Sequence, residues 1–501
     1  MQIPHRYHIT SAEQNRRMDS KTINEFGIDG FTLMEIAGTR AADYIMQHSE
    51  TGSKVLLVCG KGNNAGDAFV VGRILSQQGY KCSYFLCFGD EDLSADAQKN
   101  YELLLKLDSD LPIITELTEL DTRNYDVIVD GIFGTGLTSE VRSPIDEVID
   151  LINSSTSTVF ALDIPSGLSS DTGKIMGAAV RAHHTLSFGA LKAGSFLNDG
   201  KEICGEVVLC DLPFPNEYRE HAGYLIDEDW VEINSTPKKQ REHKYAEGML
   251  YIIAGSEGLT GAAILAAKSA WAKELGAVTV ITPKALLDIY EKTLIQIIKK
   301  PVGNSSDTHF TSKHLNDVLE ILQQKKGTIL IGPGLGRESE TLEFVRALLK
   351  QYNGNAVIDA DALFALDEAT IQQKPANTQW ILTPHPGELS RLLTDSNSLD
   401  DDSNRMIQVS AFAKKHNSTI LSKGYPGILA SKNGEAFLTT YDSRIFARAG
   451  FGDVLAGKIG AFWLTEQNEI IASSKALLQG YQKARLVLEM GKNAPEPLDI
   501  I

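Results

Sequence analysis

Gly60-Lys61-Gly62-Asn63-Asn64-Ala65-Gly66-Asp67 joins an apolar β-branched run to a helical pattern. Glycines there let the backbone approach a ligand closely, and the start of the following helix offers free N–H groups to an anion. Two asparagines add carbonyl and amide groups. The glycine spacing is neither a dinucleotide fingerprint nor a P-loop, and a Gly-rich turn can be only a tight turn. Two further run ends carry carboxylates: Asp130-Gly131-Ile132-Phe133-Gly134-Thr135-Gly136-Leu137, and Asp163-Ile164-Pro165-Ser166-Gly167-Leu168. Either Asp could simply cap a helix. Taken together, Asn64, Asp130 and Ser166 form a hard-oxygen set suited to an alkali or alkaline-earth ion, with Asp163 left as an acid or base.

The second half holds its own set. Gly332-Pro333-Gly334-Leu335-Gly336-Arg337 and Asp359-Ala360-Asp361 end apolar runs. In Thr383-Pro384-His385-Pro386-Gly387-Glu388, His385 between prolines suits a ligand contact, while Glu388 suits either a helix start or a ligand. Lys423-Gly424-Tyr425-Pro426-Gly427 could meet phosphate. Gly450-Phe451-Gly452-Asp453 opens a helix reaching about Leu464; its free amides make an anion hole, and Asp453 is a candidate base or an N-cap.

Such residues need strand ends to hold them. Lys54–Cys59, Asp126–Val129 and Thr158–Leu162 read as buried strands, preceded by a helix-turn-helix over Asn15–Ala37. Later candidates are Met249–Ala254, Val278–Ile281, Thr328–Ile331, Ala356–Ile358, Trp380–Leu382, Thr419–Leu421 and Ile428–Ala430. Alternation with helical patterns predicts α/β layering around mainly parallel sheets. A 501-residue chain needs more than one core. The aperiodic, charged stretch Asp227–Glu247, with Lys238, Lys239 and Arg241, puts a boundary near 225, giving domains 1–225 and 226–501.

The net charge of -17 argues against general nucleic-acid or anionic-membrane binding. Five cysteines with no C-x-x-C pair argue against a disulfide framework or zinc site and fit a reducing compartment, hence a cytoplasmic location. Met1–Arg17 has no apolar signal core, and the most apolar helix candidate, Ala262–Leu275, is broken by Lys268 and Lys273. The expected assembly is a homo-oligomer.

Leu33-Met34-Glu35-Ile36-Ala37-Gly38, the Asn-Asn-Ala-Gly-Asp turn, and the Asp130 and Asp163 motifs resemble the NAD(P)H-hydrate epimerase domain over roughly residues 10–220. Thr185–Gly189 with Lys192 and Gly205–Val208 agree. The resemblance implies a Rossmann-like three-layer domain with K+ held by Asn64, Asp130 and Ser166. It implies hydrate contacts from Asn63, Asn64, Ala65, Gly66, Asp67, Gly134, Thr135, Gly136, Leu137, Thr138, Ser139, Glu140 and Asp163. Ala65 and Ala68 stand where that family commonly has Gly.

Residues of roughly 225–490 resemble the ribokinase-like, nucleotide-dependent NAD(P)H-hydrate dehydratases, with support from His243-Lys244, Gly255-Ser256 and Gly261–Ala263. That resemblance implies hydrate contacts from Ala262, Gly334, His385 and Asp453. It places the adenine nucleotide on Lys423, Gly424, Tyr425, Pro426, Gly427 and Gly452. Phe451 replaces a small residue, and Ser443–Ala449 replaces a loop rich in Gly, Asn and Thr. This change is expected to reshape the anion hole, with Arg448 as a compensating charge.

The chemistry implied is repair of hydrated NADH and NADPH (NADHX and NADPHX). Asp163 would assist epimerisation. Asp453 would deprotonate the ring hydroxyl for phosphorylation by ADP or ATP, with Mg2+ offsetting phosphate charge and ADP the favoured donor. The rivals are a small-alcohol kinase with an N-terminal binding domain, and a non-catalytic binding or scaffold protein.

Overall fold

The computed structural model describes residues 4–108, 110–236, 248–272, 277–393 and 399–501. Lys238, Lys239, Arg241, His243, Lys244 and Lys273 therefore lie outside the described residues. The chain divides into two compact units, Gln2–Tyr224 and Leu225–Ile501. No helix among the described residues is long and apolar enough to cross a membrane.

The first unit carries a seven-stranded parallel sheet. Its order is Ile113–Ile114, Lys81–Leu86, Lys54–Cys59, Val127–Gly131, Thr158–Leu162, His184–Phe188, Glu206–Cys210. Along Lys54–Cys59 successive side chains point to opposite faces. Val55 and Leu57 join a core with Leu33, Ala37, Ala41 and Phe69, whereas Leu56 and Val58 join Ile145, Val148, Ile149 and Ile152. Two separate cores on one sheet make three layers, which is why Val55–Cys59 and Val127–Val129 are apolar on both faces.

The chain enters this sheet at Lys54–Cys59, moves outward to one edge, then returns to Val127–Gly131 and builds the other edge. The reversal leaves a crevice at the carboxyl ends of those two central strands, where open α/β sheets bind ligands.

The second unit has parallel strands in the order Ile298–Val302, Val278–Pro283, Met249–Ile253, Gly327–Ile331, Asn355–Ile358, Trp380–Leu382, Thr419–Ser422. Ile428–Ala430 and Ala436–Thr439 extend it antiparallel. Every strand expected from the sequence is present within two residues at each end. Several others went unread. Ile298–Val302 reads Ile-Lys-Lys-Pro-Val, a polar edge strand whose proline disguises it. Lys81–Leu86, His184–Phe188, Glu206–Cys210 and Ala436–Thr439 are short or interrupted by polar residues.

One expectation needs correction. The turn Gly60–Asp67 is not all loop before a helix starting at Ala68, as its sequence suggests; the helix runs from Asn63 to Gln77, with Gly62 as its extended N-cap. The asparagines thus form the first helical turn, and its unpaired N–H groups lie at the crevice itself.

Candidate functional site

In the first unit a cavity of about 610 Å3 opens over the crevice. It is lined by Asn63, Asn64, Asp67, Gly134, Thr135, Gly136, Leu137, Thr138, Ser139 and Asp163. Ala65, Gly66 and Glu140 do not line it. Ala65 is fully buried in the core, and a Cβ on Gly66 would strike Met34 Sδ at 2.5 Å. Glu140 is exposed. The helical register of Asn63–Gln77 decides the first two: Asn63, Asn64 and Asp67 fall on the cavity side of the helix, and Ala65 and Gly66 on the packed side.

Beneath the cavity, Asp130 and Ser166 are both fully buried. Asp130 Oδ1 accepts from Ser166 Oγ at 2.6 Å, and Oδ2 accepts from Ser166 N at 2.8 Å. Ser166 Oγ in turn accepts from Phe133 N at 2.8 Å. Burial lifts the Asp130 carboxyl to about 6, against the pull of the Ser166 and Ile132 donors. Asn64 Nδ2 donates to Phe133 O at 3.0 Å, yet Asn64 Oδ1 is buried with no hydrogen-bond partner among the described residues. An orphaned carbonyl on a residue linked through Phe133 O to Ser166 and its buried Asp130 partner fits a hard cation such as K+.

Asp163 follows its strand with a left-handed backbone, φ 66. A non-glycine residue there stores strain of about 1–3 kcal/mol, held by the surroundings. Phe188 N donates to Oδ1 at 3.3 Å and Thr135 N lies 3.4 Å from Oδ2. Lys192 Nζ, fully buried, pairs with Asp163 Oδ1 and donates to Phe188 O at 2.7 Å. A Cβ on Gly134 would sit 3.2 Å from Asp163 Oδ2 and 3.7 Å from Asn64 Oδ1, so these groups meet across one glycine.

Two carboxylates join them. Burial and the nearby Asp163 raise the Asp67 carboxyl well above its usual value. Asp19 lines the same cavity, and burial raises it to about 6, opposed by Lys192 and reinforced by Asp163. Asp19 was missed because it lies on a helix, Ala12–Lys21, that follows none of the strands read from the sequence.

The loops are fitted too closely for added bulk. A Cβ at Gly60 would lie 2.0 Å from the backbone oxygen of Ile132. Gly60→Ala is expected to cost about 1–3 kcal/mol in denaturant unfolding and to slow any chemistry at Asp163 by displacing residues 132–135.

In the second unit a cavity of about 540 Å3 is lined by His385, Lys423, Gly424, Tyr425, Gly427, Gly452 and Asp453. Asp453 is not an N-cap; Gly450 caps the helix Phe451–Glu466 with φ 95, placing Asp453 in its first turn. A Cβ on Gly452 would lie 3.3 Å from Lys423 Nζ, so the ammonium sits over the helix N-terminus. Lys423 Nζ pairs with buried Asp359 Oδ1 at 2.6 Å, which also accepts from Thr383 Oγ1 at 2.7 Å. Burial and Asp359 raise Asp453 to about 7, opposed by Lys423 and reinforced by Asp361.

His385 caps the helix Pro386–Leu392: its Nδ1 accepts from Gly387 N at 3.0 Å, and its backbone N donates to Glu388 Oε2 at 2.9 Å. Burial and Lys423 lower its pKa, favouring the neutral ring. Glu388 therefore has a structural task while still lining the cavity.

Pro426, Ala262 and Gly334 do not line this cavity. Pro426 is buried, and its carbonyl accepts from Arg405 Nη2 at 2.8 Å. Gly334, with φ 61, lies where an added Cβ would be 3.2 Å from Ala262 Cβ, so those two residues meet each other. Arg405 also bonds Lys423 O at 3.4 Å and Asp402 at 2.8 Å, bracing the Lys423–Gly427 loop. Its signal was the Asp402-x-x-Arg405 spacing, which allows an i,i+3 pair.

The bulky Phe451 is accommodated. It is 4% exposed, packed with Val454, Ala484, Ile500, Leu265 and Phe446, and its ring meets Phe446 edge-on at 5.3 Å. The side chain goes into an apolar cluster, so the helix amides stay open. Arg448 lines the cavity.

Residues 30–194 match the profile described as YjeF-related protein N-terminus, and residues 250–492 match that described as NAD(P)H-hydrate dehydratase. The bifunctional NAD(P)H-hydrate repair enzyme Nnr of Salinibacter ruber is 32% identical over 496 residues, covering 94% of this chain and 90% of that protein. The Moorella thermoacetica enzyme of the same name is 31% identical over 465 residues, covering 90% and 87%. With both halves matched in order and nearly full-length relatives at this identity, the chain belongs to the bifunctional NAD(P)H-hydrate repair enzyme family.

Proposed function

We propose that residues 1–225 interconvert the R and S hydrates of NADH and NADPH, and that residues 226–501 dehydrate the S form with an adenine nucleotide. The reading is carried by one arrangement in the second unit: Asp453 sits in the first turn of a helix whose N-terminus faces Lys423 and His385 around a single cavity. Phosphate charge would fall on the helix amides and Lys423. Asp453 would take the proton of the ring hydroxyl as it attacks the terminal phosphoryl group. Phosphate then leaves as the ring nitrogen donates its lone pair to form an iminium, and loss of a proton from the adjacent ring carbon restores the reduced ring.

In the first unit, Asn64 Oδ1, Asp130 and Ser166 would hold K+, which supplies a fixed positive charge at the substrate cavity. Asp163, kept close by Lys192, would exchange a proton with the hydrate. Mg2+ would come with the nucleotide, on its phosphate oxygens. Among the described residues no group of three or more His, Cys, Asp or Glu side chains is placed to hold a metal ion. Fusion lets one polypeptide convert the epimer its second domain rejects. We also propose ADP as the preferred donor, a cytoplasmic setting and a homo-oligomeric assembly.

The test incubates purified protein with mixed hydrate epimers, Mg2+, K+ and either ADP or ATP, following each epimer separately. Recovery of reduced-nicotinamide absorbance supports repair. A stable phosphorylated alcohol would instead mark a small-alcohol kinase, and no turnover at all a binding protein. Asn64→Leu is expected to raise the KCl needed for half-maximal epimerisation roughly tenfold or more, leaving dehydration of the S form unchanged.

A further inference from the structure

The strand His8–Thr10 pairs in parallel with Leu191–Lys192, aligning Thr10 with Lys192. The chain then turns at Ser11, which caps the helix Ala12–Lys21 in a capping box with Gln14. Ala12 N is tied to Asp171 Oδ1 at 2.6 Å. This anchoring lays one face of the helix along the cavity, so Asn15, Arg16 and Asp19 become its wall. Asn15 and Asp19, four residues apart, share that face. The family profile starts at residue 30, so this wall lies outside the matched segment.

Asn15 is 6% exposed, and its Oδ1 has no hydrogen-bond partner among the described residues. A buried acceptor left unpaired on a cavity wall points to a donor that arrives with the ligand. We propose that Asn15 and Asp19 contact the hydrated nicotinamide: Asn15 Oδ1 accepts from the carboxamide N–H or the ring O–H, and Asp19 is a second catalytic residue that exchanges a proton with the ring hydroxyl. The proposal rests on the epimerase reading of this cavity.

The step balances without an oxidant. Asp19 in its acid form gives its proton to the ring hydroxyl. The C–O bond breaks with its electron pair going to oxygen, water leaves, and the nitrogen lone pair forms an iminium. Water then adds to the opposite face and gives a proton back to a carboxylate. Asp163 is already engaged by the Lys192 ammonium, Phe188 N and Thr135 N, so a second carboxyl on the cavity wall divides the work. Asp19 shares the field of Lys192, Asp163 and Asp67, with Arg16 on its own helix and Lys61 and Asp96 also lining the cavity. Burial raises its carboxyl to about 6, which keeps a proton available near neutrality.

The test uses the full chain, separated epimers, and the variants Asp163→Asn, Asp19→Asn, Asp19→Glu and Asn15→Leu. The wild-type rate should fall above about pH 6, and Asp19→Asn should lower kcat roughly 100-fold and abolish that fall. Asp19→Glu should restore about tenfold or more of that loss. Asn15→Leu should raise KM about tenfold with an unchanged or higher Tm, because it removes an unpaired buried acceptor. If the wild type does not speed interconversion, or Asp163→Asn matches it, the epimerase reading falls and takes the proposal with it. If those controls behave but Asp19→Asn keeps the wild-type rate and pH profile, or Asp19→Glu is as inactive as Asp19→Asn, only the proposal falls.

Discussion

Asp453→Asn should reduce nucleotide-dependent dehydration about 10²–10⁴-fold while leaving epimer interconversion intact. The geometry gives the reason. Asparagine keeps the size of the side chain and the helix start but cannot accept the hydroxyl proton. The pH dependence has a defined sign. Burial and Asp359 raise Asp453 from 3.8 to about 7, and a base must be ionised to act. The wild-type rate should therefore climb with pH and reach half its plateau near 7. Lys423→Met removes the cation that lowers this pKa, so the profile should move to higher pH as well as lose nucleotide affinity. Folding also pays a cost: the raised pKa makes the folded state bind the proton more tightly, so stability declines as pH climbs from 3.8 towards 7. Asp453→Asn should remove that decline in denaturant titrations at several pH values.

Lys192→Met should unfold the first unit more easily by about 3–5 kcal/mol and abolish epimerisation. Lys192 is fully buried and is the cation paired with Asp163, so its loss leaves a mostly buried carboxylate uncompensated. It also deprives Phe188 O of its donor. The double variant Lys192→Met/Asp163→Leu should recover much of the stability, because an apolar pair can replace a buried ion pair at little cost. It should recover none of the activity. Chemical denaturation separates the two effects. A double variant as unstable as Lys192→Met would show that the lysine acts through packing rather than charge.

Local sequence determined much of this protein. Strict burial of runs such as Val55–Cys59 and Ile329–Ile331 declares parallel strands covered on both faces. Glycine, asparagine and aspartate just beyond such runs mark where the cavities open, since that region tolerates close backbone approach. Gly450, Gly452 and Asp453 were legible for the same reason: a helix start has local chemistry.

Other features needed the tertiary structure, because they depend on residues distant along the chain. Helical register turned Ala65 and Gly66 into packing residues and left Asn64 on the cavity wall, although all three belong to one motif. Pairing of Thr10 with Lys192 carried Asp19 to a site about 140 residues away, and no local pattern encodes that distance. The cluster around Ile500 shows how Phe451 fits without closing the helix N-terminus. Periodicity reports which face of an element is buried. Which faces meet, and hence which carboxylates share a field, is settled only when the sheet is assembled.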